Sequence, residues 1–269
     1  MPVPPCRCAI VGHPVAHSRS PLLYRAAFAR FGLAWTYEAV DVAPGGLPDF
    51  VAGLDGTWRA LSVTAPHKPD ALRLGEPDEA SRLVGGANTV VFDADGSVHV
   101  HNTDVPGVVR ALHERGIVGV DRAVIVGAGA TARSVLVALT RMGLREAVVQ
   151  ARNPRRAAPV AQWAGSLGVD AAVAPIGAHA DCDLVVSTVP AGAADGFADQ
   201  IVDAAAAVFD VTYDPWPTVV MQAGVARGIT VIDGLDLLAG QAVDQIGLVC
   251  GQTLPFEQLR ALAADTVGR

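Results

Sequence analysis

Lysine is almost missing from this chain. Of its 20 basic side chains, 19 are arginine, and Lys68 is the one lysine. Basic residues are also in deficit, 20 against 27 acidic, for a net charge of −7. That balance excludes a broad nucleic-acid-binding surface, which needs a basic excess to neutralise phosphates. There is no long uncharged apolar run, so no membrane span is expected. The start carries no apolar segment ahead of a cleavage site, so no secretory signal is expected either. Cys6, Cys8, Cys182 and Cys250 form no CxxC pair and have no histidine at ligand spacing. A metal site and a disulfide framework are therefore not expected, and the thiols should be reduced and mostly buried. Repeats and low-complexity tracts are absent as well. These absences lead to a cytoplasmic, metal-free protein without nucleic-acid or membrane partners; a monomer or homodimer is expected.

What is present suits a large core: 51% of the 269 residues are hydrophobic and 17% charged. That supports one large domain or two modest ones. Cys6–Val11 reads as a buried strand, and a helix follows over Pro21–Phe31 with Ser20 as its N-cap and Gly32 as its stop. Strands are expected at Trp35–Val42 and Ala60–Thr64, short helices at Leu47–Leu54 and Asp70–Leu74. Asn88–Phe92 and Val98–Val100 flank Asp93-Ala-Asp-Gly-Ser97, a hairpin signal. Val105–Arg115 reads as a helix ending at Gly116. From Ala123 onward strands and helices alternate: strands at Ala123–Val126, Ala147–Ala151, Leu184–Ser187, Ala207–Val211 and Thr230–Ile232. Helices run from the glycine loop through Arg141, over Pro154–Leu167 and over Thr218–Arg227. This rhythm predicts an α/β doubly wound parallel sheet of Rossmann type. Two last helices, Leu235–Val249 and Phe256–Ala264, have no strand between them and are expected to close against the first half. The resulting domains are 1–105 with 240–269, and 106–239.

Val124-Ile-Val-Gly127-Ala-Gly129-Ala-Thr-Ala132 has the pattern strand–GxGxxA–helix. Gly127 permits a tight turn, Gly129 lets the backbone approach a pyrophosphate, and Ala132 allows close helix–sheet packing. The end of the next strand then reads Ala151-Arg152-Asn153-Pro154-Arg155-Arg156. An NAD site would place an acid there for the ribose hydroxyls. Three arginines instead suit a 2′-phosphate, and cations at a helix N-terminus otherwise oppose the macrodipole. The cofactor is read as NADP(H).

The first half carries polar clusters at the ends of its segments. Ser18 and Ser20 flank Arg19 and, in an extended segment, would point the same way and could grip one carboxylate; the alternative, favoured by this cluster alone, is that Ser20 only caps the helix and Ser18 is a turn residue. Thr64 and Lys68 follow a buried strand. Asn88 and Asp104 open later segments. Where charge alone matters, arginine can replace lysine; a site that keeps lysine needs a compact ammonium able to give up its proton.

Together these clusters resemble the shikimate dehydrogenases. Gly12-His-Pro-Val-Ala-His-Ser-Arg-Ser-Pro21 is similar to that family's opening signature, and Ser62-Val-Thr-Ala-Pro-His-Lys68 to its catalytic-lysine motif. Gly86-Ala-Asn-Thr89, Asn102-Thr-Asp104, Gly127–Ala132, Ser187-Thr-Val-Pro190, Tyr213 and Asp233-Gly-Leu…Gln241-Ala continue its order across nearly the whole chain. The resemblance implies a two-domain fold and reversible NADPH reduction of 3-dehydroshikimate to shikimate, within aromatic amino-acid (chorismate) biosynthesis. It implies Ser18 and Ser20 on the substrate carboxylate, with Tyr213 at the same end. Thr64, Asn88, Asp104 and Gln241 would bond the ring hydroxyls, and Lys68 with Asp104 would be the catalytic pair. Gly127, Ala128, Gly129, Ala130, Thr131, Arg152, Asn153, Arg155, Thr188, Val211 and Gly234 would surround the cofactor.

The chain departs from the family at Ser62, where many members carry Asn and a supporting hydrogen bond would be shortened or lost. It departs also at Ala151-Arg-Asn, and at His67, read as a solvent-facing residue at a helix start. His13 and His17 are read as structural. A quinate/shikimate or aminoshikimate dehydrogenase of a catabolic or secondary pathway is the alternative nearest to this reading. A non-catalytic sensor of shikimate-type ligands would be expected to have lost Lys68 or Asp104. A folate dehydrogenase would not need the paired serines with Asn88 and Gln241.

Overall fold

The computed structural model describes residues 5–265 and divides into two compact units, Met1–Gly107 with Leu238–Arg269, and Val108–Leu237. The first is built on strands β1 (Arg7–Gly12), β2 (Thr36–Asp41), β3 (Trp58–Val63), β4 (Glu76–Pro77), β5 (Thr89–Phe92) and β6 (Val98–His101). Their order is β2-β1-β3-β5-β6-β4. β1 runs parallel to β2 and β3, whereas β5 is antiparallel to both β3 and β6. β1 is buried from Cys8 to Gly12, as an apolar strand with neighbours on both sides should be. The same unit contains helices α1 (Ser20–Arg30), α2 (Leu47–Ala52), α3 (Lys68–Ala71) and α4 (Glu79–Val84). The core gathers Val11, Leu47, Leu61, Val63, Val90 and Val100. On the α1 side Tyr24 stacks on Tyr37 at 4.5 Å between ring centres.

Several expectations change here. Ser20 is not an N-cap: it is the first residue of α1, Arg19 holds the cap position, and no side chain caps the helix. Nor is Ser18–Ser20 extended. A turn closed by Ser18 N–H on Val15 O (3.0 Å) curls the segment, and Ser20 N–H then donates to Ser18 Oγ at 3.3 Å. The helix expected at Asp70–Leu74 starts two residues earlier, at Lys68. His67 is fully buried rather than solvated. The turn before α3 tucks its ring inward, where Nε2 donates to Val42 O at 2.7 Å. Helix α4 escapes the sequence pattern because it is a short stretch between two turns, yet it is well marked: Asp78 caps Ser81 N–H, and Gly85 ends it in the left-handed region.

The second unit has strands β7 (Arg122–Val126), β8 (Glu146–Gln150), β9 (Asp170–Ala174), β10 (Cys182–Ser187), β11 (Ala205–Asp210) and β12 (Thr230–Ile232). All pairings are parallel and the order is β12-β11-β10-β7-β8-β9. The order reverses between β7 and β10, which is where an open α/β sheet binds ligands. Helices α6 (Ala130–Thr140), α7 (Pro154–Ser166), α8 (Ala198–Val202) and α9 (Val219–Ala226) connect the strands. β9 goes beyond the sequence expectation, being an alanine-rich edge strand with no apolar alternation and a mostly exposed surface. α8 is five residues long and equally weak in pattern. Helices α5 (Asp104–Glu114) and α10 (Gly234–Cys250) contain the points where the chain passes from one unit to the other, and α11 (Phe256–Asp265) follows. Among the described residues no helix is long and apolar enough to cross a membrane.

Candidate active site

In the first unit the predicted polar residues converge. β3 ends at Val63, Thr64 N–H continues the pairing by donating to Val11 O at 2.9 Å, and a turn closed by His67 N–H on Thr64 O follows. That turn delivers Lys68 to the start of α3 with its side chain only 12% exposed. Its Nζ donates to Asp104 Oδ2 at 2.6 Å. Asn88 Nδ2 donates to the other carboxylate oxygen, Oδ1, at 2.8 Å, and reaches Gln241 Oε1 at 3.1 Å. Lys68, Asn88, Asp104 and Gln241 are thus one hydrogen-bonded set.

The backbone explains why they meet. Ala87 N–H donates to Lys68 O, and Asn88 N–H to His101 O, so the segment before β5 is stitched to both neighbours. Asn102 Nδ2 donates to Gly86 O at 2.8 Å while its Oδ1 accepts from Val105 N–H at 3.3 Å, which aims the start of α5 at the same point. Gly107 on α5 and Gly240 on α10 face each other so closely that a Cβ on Gly240 would overlap the Gly107 carbonyl, and one on Gly107 would sit 2.8 Å from Gln241 N. Only glycines let these two helices bring Asp104 and Gln241 together. The Asp78 carboxylate accepts from Ser81 N–H at 2.7 Å and from Asn102 N–H at 3.4 Å. Burial would raise its carboxyl, but bonds from His101 and Ser81 outweigh it and hold it down to about 2.

Thr64 and Ser18 are half-buried, and Ser20 is buried. A side-chain methyl of Thr64 packs where a Cβ on Gly12 would be, so the opening loop and the lysine loop touch. His13 pairs with Asp41 at 2.7 Å, in keeping with its structural reading. Ser62 has not lost its hydrogen bonds: Tyr37 OH donates to its Oγ at 2.6 Å, and Oγ bonds Gln245 Oε1 at 3.2 Å. Tyr213 lies in the second unit, half-buried in the loop between β11 and α9.

The remaining predicted residues also lie in the second unit. Gly127 follows β7 with φ +121°, and a Cβ there would overlap Thr188 Oγ1. Thr188 leaves β10 with both N–H and Oγ1 bonded to Val126 O, at 2.8 and 3.0 Å. Gly129 is the N-cap of α6 and faces open space. Gly127, Ala128, Gly129, Arg152, Asn153 and Thr188 line one pocket of about 500 Å³ at the C-terminal ends of β7, β8 and β10. Ala130 and Thr131 form the first turn of α6 just behind that lining. Asn153 caps α7 by accepting from Arg155 N–H at 3.0 Å.

Arg155 does not line the pocket; Arg156 does. The two are about 100° apart around the helix, so only one faces inward. None of Arg152, Arg155 and Arg156 is held by a carboxylate among the described residues. Val211 and Gly234 do not line that pocket: Val211 N–H donates to Ser187 O at 3.0 Å, and a Cβ on Gly234 would overlap the Val211 carbonyl. Asp210, just before them, is pushed up by burial despite accepting from Thr218 and Thr212.

An NADP molecule fits what this unit offers. A glycine turn at positive φ, an open helix N-terminus at Gly129 and pocket-lining guanidiniums without carboxylate partners among the described residues match a pyrophosphate and a 2′-phosphate. Of the three arginines read from the sequence, Arg155 was singled out where Arg156 lines the pocket, a choice helix geometry could have made. Thr89, Thr103 and Gln245 became visible only through their partners.

Residues 10–90 match the family model described as the shikimate dehydrogenase substrate binding domain. The protein named shikimate dehydrogenase (NADP(+)) of Methylobacterium radiotolerans is 39% identical over 250 residues, 88% of each chain. Among solved structures, shikimate dehydrogenase of Mycobacterium tuberculosis is 34% identical with a TM-score of 0.86, covering 97% of this chain and 100% of that one. Shikimate 5-dehydrogenase of Thermus thermophilus, in complex with NADP(H) and shikimate, superposes at a TM-score of 0.86 with 29% identity, over 97% of this chain and 99% of that one. With motifs in order along the sequence, a mixed sheet followed by a doubly wound one, and relatives alike over most of their length, this chain belongs to the shikimate dehydrogenase family.

Proposed function

We propose that the protein is an NADP-dependent shikimate dehydrogenase, reversibly reducing 3-dehydroshikimate to shikimate. The observation that carries this reading is the Lys68–Asp104 pair, 2.6 Å apart and braced by Asn88. The first unit would hold the substrate and the second the cofactor. NADPH, when bound, supplies a hydride to the substrate carbonyl. Lys68 stabilises the charge that develops on that oxygen and donates the proton that completes the alcohol. Asp104 keeps the ammonium aimed through Oδ2. Asn88 and Gln241 bond neighbouring ring hydroxyls, with Thr64 beside them. Ser18 and Ser20 take the carboxylate. A polyhydroxylated carboxylate is selected because an analogue lacking a hydroxyl leaves one of these buried polar groups unpaired. Arg152 and Arg156 take the 2′-phosphate of NADP, with Arg155 the flanking charge, and Gly127–Thr131, Asn153, Thr188, Val211 and Gly234 shape the rest of the cofactor site.

The test is absorbance at the reduced-nicotinamide band, with shikimate or quinate offered with NADP or NAD. Fast reduction with shikimate and NADP alone is expected. Strong turnover of quinate with NAD would move the protein to a catabolic role. No turnover of any pair by folded, NADP-binding protein would overturn the reading.

A further inference from the structure

Behind Asn88 lies a buried polar cluster whose hydrogen-bond directions can be assigned one by one. Asn88 faces the Asp104 carboxylate, which only accepts, and the Thr103 N–H, which only donates. Its amide is therefore oriented with Nδ2 toward Asp104 and Oδ1 toward Thr103 and Thr89. Gln245 is oriented independently. Its Nε2 faces the Asn88 carbonyl at 3.2 Å, which only accepts, so its Oε1 faces Tyr24 and Ser62. Ser62 accepts from Tyr37 OH at 2.6 Å, leaving its own hydrogen for Gln245 Oε1.

Thr89 stands between the two amides. Gln245 Nε2 donates to Thr89 Oγ1 at 2.7 Å, so the hydroxyl hydrogen is free for Asn88 Oδ1, 2.9 Å away. A single-direction chain results: Tyr37 to Ser62 to Gln245, then Gln245 to Thr89 to Asn88 to Asp104. Ser62, Asn88, Thr89 and Gln245 are all buried, so no solvent replaces a broken link. A turned Asn88 would present Oδ1 to the Asp104 carboxylate, two acceptors facing each other, and would displace the partner of Lys68.

The geometry points to Gln245 and Thr89 as positioning residues that lock the Asn88 amide and, through it, the Lys68–Asp104 pair. The inference rests on the catalytic reading of that pair. It also gives Ser62 a place: the short side chain leaves room for Gln245 and is bonded to it.

The test uses the full-length protein carrying Thr89→Val, Thr89→Ser or Gln245→Leu. Thr89→Val keeps shape and removes the hydroxyl; Thr89→Ser restores it. With shikimate and NADP, Thr89→Val and Gln245→Leu should lower kcat about tenfold, the scale of one buried hydrogen bond, with KM for NADP unchanged. Thr89→Ser should recover most of that loss, which general loosening would not predict. Hydrogen exchange of the Asn88 side-chain amide, followed by NMR in the protein without substrate, should be slow in the parent and Thr89→Ser and at least about tenfold faster in the other two. That second readout needs no turnover. If the parent fails to oxidise shikimate while the exchange pattern holds, the catalytic reading fails and the lock stands. Unchanged exchange in Thr89→Val and Gln245→Leu, or no recovery in Thr89→Ser, overturns the lock.

Discussion

The two units hold their functional side chains in opposite ways. In the first, Lys68, Asn88, Asp104 and Gln241 are already bonded to one another and largely shielded from solvent. In the second, Arg152 and Arg156 are exposed and lack carboxylate partners among the described residues, and they line a pocket together with the glycine turn. A proton-transfer site needs angles set before the substrate arrives, and buried reciprocal hydrogen bonds set them. A phosphate site needs charge and clear backbone N–H groups, and it can leave its cations to be ordered by the anion itself. On the proposed reading, one fold carries a preorganised half and a half completed by its ligand.

The contrast can be broken at its strongest point by Lys68→Arg. Charge is kept but the proton donor is lost, so turnover of shikimate should fall on the order of a hundredfold or more. NADP affinity, read by fluorescence titration, should stay within about twofold, since the cofactor would be held in the other unit. A near-normal rate would refute the proton-donor role. Next in size is Arg152→Gln with Arg156→Gln. Losing two charge-assisted contacts should raise the KM for NADP by roughly tenfold to a hundredfold and leave that for NAD almost unchanged. Equal losses with both cofactors would mean the arginines do not read the 2′-phosphate. Raising the salt should weaken NADP binding in the parent more than in the double variant.

The smallest effect concerns pH and separates the units by sign. Asp78, in the first unit, is held down to about 2, below the unfolded value of about 3.9. It contributes stability at neutral pH that is lost as pH falls from about 4 through 2. Asp210, in the second, is pushed up by burial. Its contribution runs the other way, declining as pH rises from the unfolded value through its folded one. Thermal unfolding between about pH 2 and 6 should therefore show a shallower acid limb for Asp78→Asn and, for Asp210→Asn, less decline with rising pH. Parallel curves for both variants and the parent would remove the distinction.

Much of this was legible because the local signals were strong. Gly127 lies at the positive φ its motif requires, Thr218 caps α9, and Gly32 and Gly116 follow helices in the left-handed region. Alternating strands and helices sufficed for five of the six strands of the second sheet. The losses have a common physical origin. β9 is an edge strand with little to bury, and α4 and α8 are too short for a 3.6-residue period to register. His67 was misread because burial beside a single carbonyl leaves no mark in the neighbouring residues. The cluster behind Asn88 joins Tyr24, Ser62 and Gln245 across up to 221 positions of chain. Sequence showed which polar residues were unusual, but only the fold shows which of them face each other.

Lys68 brings one practical consequence. As the only lysine, it makes selective isotope labelling of that amino acid a single-site experiment. One side-chain ammonium resonance would report from beside Asp104, with no assignment problem and no mutation. Its exchange with water, its coupling to the carboxylate and its response to each ligand could be followed in the unaltered enzyme.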